Sequence, residues 1–180
     1  MIHAPDPELR RRFEDVVESV YAPVQRYLRR RTEASEADDV MGDVLLVLWR
    51  RFADMPTERT LPWCYAVARR CLANHQRGKQ RRTRLLERLA QSPPTPIADS
   101  FDPGLAVAMD LLSEHDREVV RLWAWEQLTA SEIASVLEIT PNAASIRLHR
   151  AIGRLKAHLE RKKGPTGGQL QGQHATEATG

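Results

Sequence analysis

The chain has 180 residues, of which 42% are hydrophobic and 28% are charged, and its formal net charge is +3. This length suits one or two small domains, and the apolar fraction is sufficient for a buried core, which excludes wholesale disorder. The longest strongly apolar run, residues 44–49, is far too short to span a membrane, and residues 1–10 lack the pattern of a signal peptide. We therefore expect a soluble, cytoplasmic protein.

Hydrophobic periodicity predicts three helices in the first half of the chain. Apolar residues between Phe13 and Leu28 recur at three-and-four spacing, and Pro23 is expected to kink or split this first helix near Tyr21. No stretch of the chain shows the sustained alternation that is typical of a half-buried strand. The predicted fold class is therefore all-α.

The second and third helices have recognisable starts. Ser35 followed by Asp38 resembles a capping box, and the helix that it opens is expected to run to about Phe52. Thr60, with Pro62 in the first turn, opens the third helix. The predicted inner face of this third helix comprises Trp63, Cys64, Val67, Ala68, Cys71 and Leu72.

The two cysteines, Cys64 and Cys71, lie seven residues apart on this third helix. Two helical turns place their Cα atoms about 10 Å apart, which is too far for a disulfide. No cluster of histidine and cysteine residues supplies the further ligands that a metal site needs. We therefore expect two small buried side chains, and neither a metal nor a cofactor.

Charge is distributed unevenly along the first half. Residues 33–43 carry five acids and no base, whereas residues 69–88 carry eight bases and one acid. The basic segment indicates a surface that binds a polyanion, with a solvated helix face as the alternative. The acidic segment has no nucleophile or phosphate-binding glycine loop nearby, so we expect a solvated or partner-binding surface there and no catalysis.

The composition changes at residues 91–104, where four prolines interrupt any helical pattern. We interpret this segment as a flexible linker between two small helical domains, residues 8–90 and residues 105–162. Residues 163–180 are rich in glycine, glutamine and threonine without periodicity, and this pattern predicts a disordered tail.

Three cap signals divide the second domain into helices. Ser113 begins one helix, Thr129 with Glu132 forms the capping box of a short helix, and Thr140 with Pro141 begins a long one. The inner face of the helix that follows Ser113 is predicted to comprise Val119, Val120, Leu122 and Trp123. A short helix, a turn over residues 138–140 and a longer helix have the spacing of a helix-turn-helix motif.

In a helix-turn-helix the second helix enters the major groove, and residues near its N-terminus reach base edges. Arginine can bind guanine through two hydrogen bonds, and asparagine and serine can contact bases or phosphates. The candidate DNA-contacting residues lie off the apolar stripe of the long helix: Asn142, Ser145, Ile146, Arg147, His149 and Arg150.

Several motifs in series resemble the extracytoplasmic-function (ECF) sigma factors of bacterial RNA polymerase, within the sigma-70 family. In the first domain they are ADDVMGDVLLVLW (37–49) and WCYAVARR (63–70), followed by the basic run. In the second domain they are LSEHDREVV (112–120), SEIASVL (131–137) and RLHRA (147–151). Each motif alone is weak, but the series occurs in the family's order, with a linker between the two groups.

The resemblance implies an alternative sigma factor without catalysis of its own, which directs core RNA polymerase to specific promoters and initiates transcription. The second predicted helix would dock on the clamp helices of the polymerase's largest subunit through Asp38, Asp39, Asp43, Leu45, Leu48 and Trp49. The third would bind and melt the −10 promoter element through Arg69, Arg70, Asn74, Arg77, Arg81 and Arg82. Trp63 and Tyr65 are further candidates for base stacking, although core packing is favoured for Trp63.

The helix-turn-helix domain would correspondingly read the −35 element, with the contact positions of the family falling on Ser145, Ile146, His149 and Arg150. The resemblance also implies an anti-sigma factor as a partner, and no membrane insertion of the chain itself. The sequence departs from the family pattern at Arg70, at Asn74 and at Glu138, where Asn, Asp and Gly respectively are common. A glycine at position 138 would accommodate a positive φ without strain.

Two other classes of function are alternatives to a sigma factor. A stand-alone helix-turn-helix regulator, with an N-terminal sensing or dimerisation domain, would bind duplex DNA alone as a symmetric dimer. A helical hydrolase would need a nucleophile or a metal cluster, which the sequence does not display. The acidic segment, the basic helix and the linker favour the sigma factor over both.

Overall fold

The computed structural model describes residues 7–87 and 103–162, and within these ranges the side chains of 83–87 and 162 are not described. The described residues form seven α-helices and one short 3₁₀ turn, without a strand, so the all-α prediction is confirmed. The elements are α1 (Pro7–Arg29), α2 (Ala34–Arg50), the 3₁₀ turn (Phe52–Asp54), α3 (Thr60–Glu87), α4 (Pro103–Asp110), α5 (Glu114–Ala124), α6 (Ala130–Leu137) and α7 (Pro141–Lys162).

Helix α1 runs unbroken through Pro23, so the expected split near Tyr21 does not occur. Proline removes one backbone donor and crowds the preceding turn, which is unfavourable in a helix interior. The buried residues Val20, Val24 and Leu28 flank Pro23 on the face that packs on α2 and α3. Burial of this apolar face offsets the local cost and keeps the helix continuous.

The expected capping box of α2 is wrong. The helix begins at Ala34, its N-cap is Glu33, and no side chain caps it. Ser35 therefore lies inside the first turn, and Asp38 accepts hydrogen bonds from α1 instead. Thr32 donates to the Glu36 carboxylate, and the N-cap lies two residues before the predicted Ser35.

The predicted start of the third helix and the predicted caps of the second domain are confirmed. Helix α3 begins at Thr60 as predicted. The Ser113 side chain accepts from the backbone of Asp116, and the reciprocal capping box of Thr129 with Glu132 is complete. The two carboxylate hydrogen bonds from Thr129 to Glu132 lower the pKa of that glutamate.

Helix α4 begins two residues before the predicted start of the second domain at residue 105. Pro103 and Gly104 were assigned to the linker, but they form the first turn of α4, where a proline at the first position is well tolerated. The rest of the predicted linker and the predicted tail, residues 163–180, lie outside the described residues. Trp123 was predicted on the inner face of α5, but it is 47% exposed, whereas Val119, Val120 and Leu122 are buried.

The core is continuous between the two halves of the chain. Val24, Tyr27 and Leu28 of α1 belong to the same buried cluster as Leu122 of α5 and Ile133 of α6. Cys64 and Cys71 are buried, unpaired thiols in this cluster, as predicted. Burial raises the pKa of the Cys64 thiol to about 12 and also raises that of Cys71.

Candidate functional site

Helices α6 and α7 form the predicted helix-turn-helix, and backbone conformation and hydrogen bonds fix the turn between them. Glu138 adopts the left-handed conformation, with φ 58° and ψ 43°, where glycine would be unstrained. The Ile139 amide donates to the carbonyl of Ala134, and the Thr140 hydroxyl accepts from the amide of Ala143 at 3.2 Å. These bonds fix the direction in which α7 leaves the turn.

The predicted DNA-contacting residues share one solvent-facing side of α7. Ala144 and Ala151 are fully buried, and their small side chains bring the opposite side of the helix close to α5 and α6. Exposed positions on the outer side are Asn142, Ser145, Ile146, His149 and Arg150, whereas Arg147 is half-buried. Ile146 is 43% exposed and is the large apolar side chain on this outer side. We call this set the α7 face.

Two further charged residues border the α7 face. Asp116 of α5 is 7% exposed and accepts a hydrogen bond from Arg154 of α7. With Ile146, Arg147 and Arg150 they line a shallow cavity of about 340 Å³. Sequence reasoning missed this pair because Asp116 and Arg154 lie on different helices and are 38 residues apart.

The predicted basic residues of α3 are largely solvent-accessible. Arg70 donates to the carboxylate of Glu138, across the boundary between the two halves of the chain, and Asn74 accepts from Arg77 at 2.6 Å. Arg69 is half-buried, and Arg81 and Arg82 are exposed. The helix therefore presents cations over about four turns, which is suitable for a phosphate backbone.

The two aromatic candidates for base stacking are not free. Tyr65 is 3% exposed and packs on Tyr27 with ring centroids 5.2 Å apart, so its proposed role in stacking on bases is wrong. Its burial raises the pKa of its hydroxyl to about 12. Trp63 is half-buried against the core, as favoured by its place on the inner stripe, and Arg51 lies 5.7 Å from its ring centroid.

Helix α2 presents an exposed face that begins acidic and ends basic. Its members recur at the spacing of one helix side, and they are Asp39, Gly42, Asp43, Leu46 and Arg50. We call this set the α2 face. Asp38 lies beside it and is held to α1 by Arg29 at 3.4 Å and by Gln25 at 3.3 Å. Leu46 is 46% exposed, which makes it the apolar centre of the face.

Leu48 does not belong to this face, so its assignment to polymerase contact is wrong. It is 1% exposed and lies in the core, where a docking partner cannot touch it. Trp49 packs edge to face on Phe13, and Leu45 is half-buried against the core. Sequence reasoning missed Leu46 because it lies within a run of six apolar residues, in which composition does not show which side chain faces solvent. Leu46 follows Asp39 and Asp43 at the spacing of one helix side, and this spacing could have identified it.

Known proteins match both halves of the chain. Residues 105–155 match the family model described as Sigma-70, region 4. The RNA polymerase sigma-E factor of Streptomyces avermitilis is 30% identical over 156 residues, which cover 82% of this chain and 85% of the relative. The chain belongs to the ECF family of RNA polymerase sigma factors. The RNA polymerase sigma factor CarQ of Myxococcus xanthus is also 30% identical, over 80% of this chain and 87% of the relative.

Solved structures of similar fold agree with this family. The sigma factor RpoE of Bartonella quintana, solved in complex with the anti-sigma factor NepR, superposes with a TM-score of 0.64 at 16% identity, covering 82% of this chain and 96% of that one. CnrH, solved with the cytosolic domain of CnrY, has a TM-score of 0.60 at 21% identity, covering 84% and 90%. At these sequence identities, the superpositions show that the chain shares the fold of these sigma factors.

As an alternative sigma factor, the protein directs core RNA polymerase to specific promoters. Sigma factors of this family are initiation factors that act on polymerase and promoter DNA. Among the described residues, no helix is both long and apolar enough to cross a membrane, and no group of histidine, cysteine and acidic side chains is arranged to hold a metal ion.

Proposed function

We propose that the two halves of this sigma factor divide promoter recognition between them. In this assignment residues 8–90 bind core polymerase and recognise and melt the −10 element, and residues 105–162 read the −35 element. The observation that carries the proposal is the exposed α7 face, since it lies on a helix-turn-helix within the segment that matches sigma-70 region 4. A helix-turn-helix of this geometry reads base edges through such a face.

The α7 face supports recognition of the −35 element by two kinds of contact. Arg150 and Asn142 would supply hydrogen bonds to base edges, and Ser145 and His149 would contact bases or phosphates. Ile146 would touch the methyl group of a thymine, because an apolar side chain at a base-facing position has no hydrogen bond to offer. Half-buried Arg147 would contact phosphate and set the register of the helix.

The basic side of α3 supports binding of the −10 element. Arg69, Arg70, Arg77, Arg81 and Arg82 would neutralise phosphates of a partly unpaired strand, and Asn74 would add a hydrogen bond. Since both aromatic rings near its start pack inward, stacking on unpaired bases would come from elsewhere, such as the segment between α2 and α3.

The α2 face supports docking on the clamp helices of the polymerase's largest subunit. Leu46 would enter an apolar pocket, and the carboxylates of Asp39 and Asp43, with Asp38 at the edge, would supply steering and register. Half-buried Leu45 and Trp49 would contribute at the margin of this contact. Buried Leu48 would support the helix from behind without touching the polymerase.

We also infer an anti-sigma factor that covers one or more of these surfaces, a cytoplasmic location and no enzymatic activity of the chain itself. The support for a protein inhibitor is that RpoE of Bartonella quintana was solved with the anti-sigma factor NepR. The exposed apolar centre of the α2 face and the cationic side of α3 are surfaces that such an inhibitor could occlude.

The test is a pull-down with purified core RNA polymerase followed by run-off transcription on a fragmented genome library. We expect the full chain to bind the polymerase and to produce discrete transcripts that share two promoter elements. Absence of polymerase binding, with duplex DNA bound by the chain alone, would instead support a stand-alone helix-turn-helix regulator and would remove the role assigned to residues 8–90.

A further inference from the structure

The cavity at the edge of the α7 face is lined by three cations and one acid. Its volume is about 340 Å³, and its lining residues are Asp116, Ala143, Ile146, Arg147, Arg150 and Arg154. The three arginines recur at three-and-four spacing, so they lie along one side of α7 over about two turns. The acid, Asp116, comes from α5. The cavity therefore carries an excess of positive charge, which suits an anionic group.

The Asp116 carboxylate is held in a fixed position beside α7. Asp116 lies in the first turn of α5, where its amide donates to the Ser113 hydroxyl at 3.2 Å, and its side chain is 10% exposed. The N-terminus of a helix is a favourable place for a negative charge. Val120 of α5 and Ala151 of α7 belong to one buried cluster, which packs the two helices together. The carboxylate is therefore part of a rigid support for α7.

Arg154 uses little of its hydrogen-bonding capacity within the protein. Its side chain is 60% exposed, and it donates from Nη1 to Asp116 Oδ2, the only acceptor that the described residues offer it. A guanidinium has five N–H donors, so most of them remain for a ligand. Because the carboxylate holds the side chain, ligand binding costs Arg154 less conformational entropy than it would cost a free arginine.

Stability alone is a poor explanation of this pair. An ion pair with one largely exposed partner contributes little net stability, and a carboxylate at the border of a DNA-binding surface repels phosphates. Arg154 offsets that repulsion, and it lines the cavity, where an anion can reach its remaining donors. Arginine and phosphate form charge-assisted, often bidentate hydrogen bonds. A phosphate group is therefore the ligand whose chemistry fits the cavity.

The position of Arg154 along α7 agrees with a phosphate ligand. In a helix-turn-helix, residues near the N-terminus of the second helix reach base edges, and contacts to the DNA backbone fix its register. Arg154 follows Arg150 by about one turn, or about 6 Å, in the direction away from that N-terminus. A residue at this place would meet the backbone at the border of the groove rather than the bases inside it.

We propose that Arg154 binds a backbone phosphate at the edge of the −35 element, and that Asp116 is the positioning residue that holds its guanidinium for this contact. This inference rests on the proposed role of residues 105–162 in reading that element. Nη1 stays on Asp116 while the other donors bind the phosphate. The contact adds affinity and register but no sequence preference, because every nucleotide carries the same phosphate.

The first test uses holoenzyme reconstituted from core polymerase and the full chain, and a promoter fragment that supports run-off transcription. Affinity for the fragment is measured at a series of KCl concentrations. Arg154→Ala should weaken binding about threefold to tenfold, equally for all −35 sequences, and should reduce the slope of log affinity against log salt by about one. Equal affinity and slope for Arg154→Ala and the parent chain would overturn the proposal.

The matched control is Lys156→Ala. Lys156 is an exposed cation on the same helix, about 200° around the axis from Arg154, so it lies on the other side of α7. Its removal should change neither the affinity nor the salt slope. An equal loss for Lys156→Ala would show that the net charge of α7 decides the affinity, and it would overturn the specific contact.

A second measurement identifies the phosphate. Single methylphosphonate linkages, which carry no charge, are placed in turn along the −35 element of the fragment. At the contacted position the replacement should weaken binding of the parent chain and leave binding of Arg154→Ala unaffected. If Arg154→Ala loses as much affinity as the parent chain at every position, the assignment to phosphate is wrong.

A double-mutant cycle tests the positioning role. Asp116→Ala should weaken promoter binding about threefold when Arg154 is present, because the guanidinium is no longer held. In the Arg154→Ala background the same substitution should strengthen binding, because it removes only the repulsion between carboxylate and phosphate. The same change in both backgrounds would overturn the positioning role, since it would show that the carboxylate acts on the fold or on charge alone.

Circular dichroism establishes that each variant is folded. If Asp116→Ala is not, Asp116→Asn replaces it, and its effects in the two backgrounds should again differ about threefold. Failure of the proposed function has a different signature, because Arg150→Ala and replacement of the −35 sequence would then leave the affinity of the holoenzyme unchanged as well. Failure of this inference alone leaves both of those effects intact.

Discussion

Phe13 and Trp49 meet edge to face, with ring centroids 4.9 Å apart and an angle of 73° between the ring planes. Phe52 also packs edge to face on Phe13, with ring centroids 5.4 Å apart and an angle of 88° between the planes. This aromatic cluster joins α1 to the end of α2, and the Trp49 ring is half-buried by packing within the protein. The apolar contact that α2 can offer to a partner is therefore centred on Leu46, on the opposite side of the helix from Leu48.

Leu46→Ala and Leu48→Ala should separate docking from folding. Leu46→Ala is expected to weaken binding of core polymerase about tenfold and to change the free energy of unfolding by less than about 0.5 kcal/mol. Leu48→Ala removes a side chain that is 1% exposed, and it should cost about 2–5 kcal/mol of stability. Affinity is measured by titration with purified core polymerase, and stability by urea denaturation. Equal polymerase affinity of Leu46→Ala and the parent chain would contradict the α2 assignment.

Arg150→Ala tests the α7 face. The guanidinium is exposed on the outer side of α7, so its loss should reduce transcription from a cognate promoter by roughly tenfold to a hundredfold and relax sequence preference at one −35 position. Binding to core polymerase should be unchanged. The control is Arg161→Ala, an exposed arginine about 16 Å further along the same helix. Run-off transcription on a set of −35 variants gives the readout, and an equal loss for the control would point to nonspecific charge instead.

Local signals predicted most of the fold. The caps at Ser113, at Thr129 and at Thr140 lie where the sequence places them, because each bond joins residues three apart and depends little on distant packing. The predictions failed where tertiary contacts decide. Packing of α1 overrides Pro23, and Asp38 bonds to the neighbouring helix rather than to its own N-terminus.

The candidate site was predicted in type but only partly in position. On α7 the polar residues define the outer side, so periodicity identifies the exposed set directly. In the apolar run of α2 no polar residue marks the solvent-facing side. The sequence therefore predicts a polymerase contact at Leu48, whereas the structure exposes Leu46 to solvent and buries Leu48. The buried ion pair between Arg31 and Glu118 could not be predicted, because the two residues are 87 apart in the sequence and a charge pattern does not reveal pairing at that separation.

Gln127→Gly should stabilise the second domain. Gln127 has a φ of 55°, a left-handed conformation that costs a residue with a Cβ about 1 kcal/mol and costs glycine almost nothing. Its side chain is exposed, so its removal sacrifices no packing. The greater freedom of glycine in the unfolded chain offsets part of this gain, so we expect the free energy of unfolding to increase by about 0.5 kcal/mol, as measured by urea denaturation. Gln127→Ala, which keeps the Cβ, is the control and should give no such increase.

The start of α2 should contribute a pH-dependent part of the stability through Glu36. Hydrogen bonds from Lys79 of α3 and from Thr32 lower the pKa of Glu36. A carboxylate with a lowered folded pKa stabilises the protein above its unfolded pKa, about 4.3, and this contribution is lost as the pH falls through the folded value. Lys79 carries its charge throughout this range, since the same partner raises its pKa.

Glu36→Gln is therefore expected to be less stable than the parent chain by about 1 kcal/mol at pH 7, because one charged partner of Lys79 is lost. The difference should shrink as the pH falls below the unfolded pKa and then through the lower folded pKa of Glu36, where this carboxylate becomes protonated in the parent chain as well. Urea denaturation at a series of pH values measures both curves. Glu58→Gln, at an exposed position between α2 and α3, is the matched control and should follow the parent chain at every pH. A constant difference between Glu36→Gln and the parent chain down to pH 2 would show that the amide disturbs packing rather than charge.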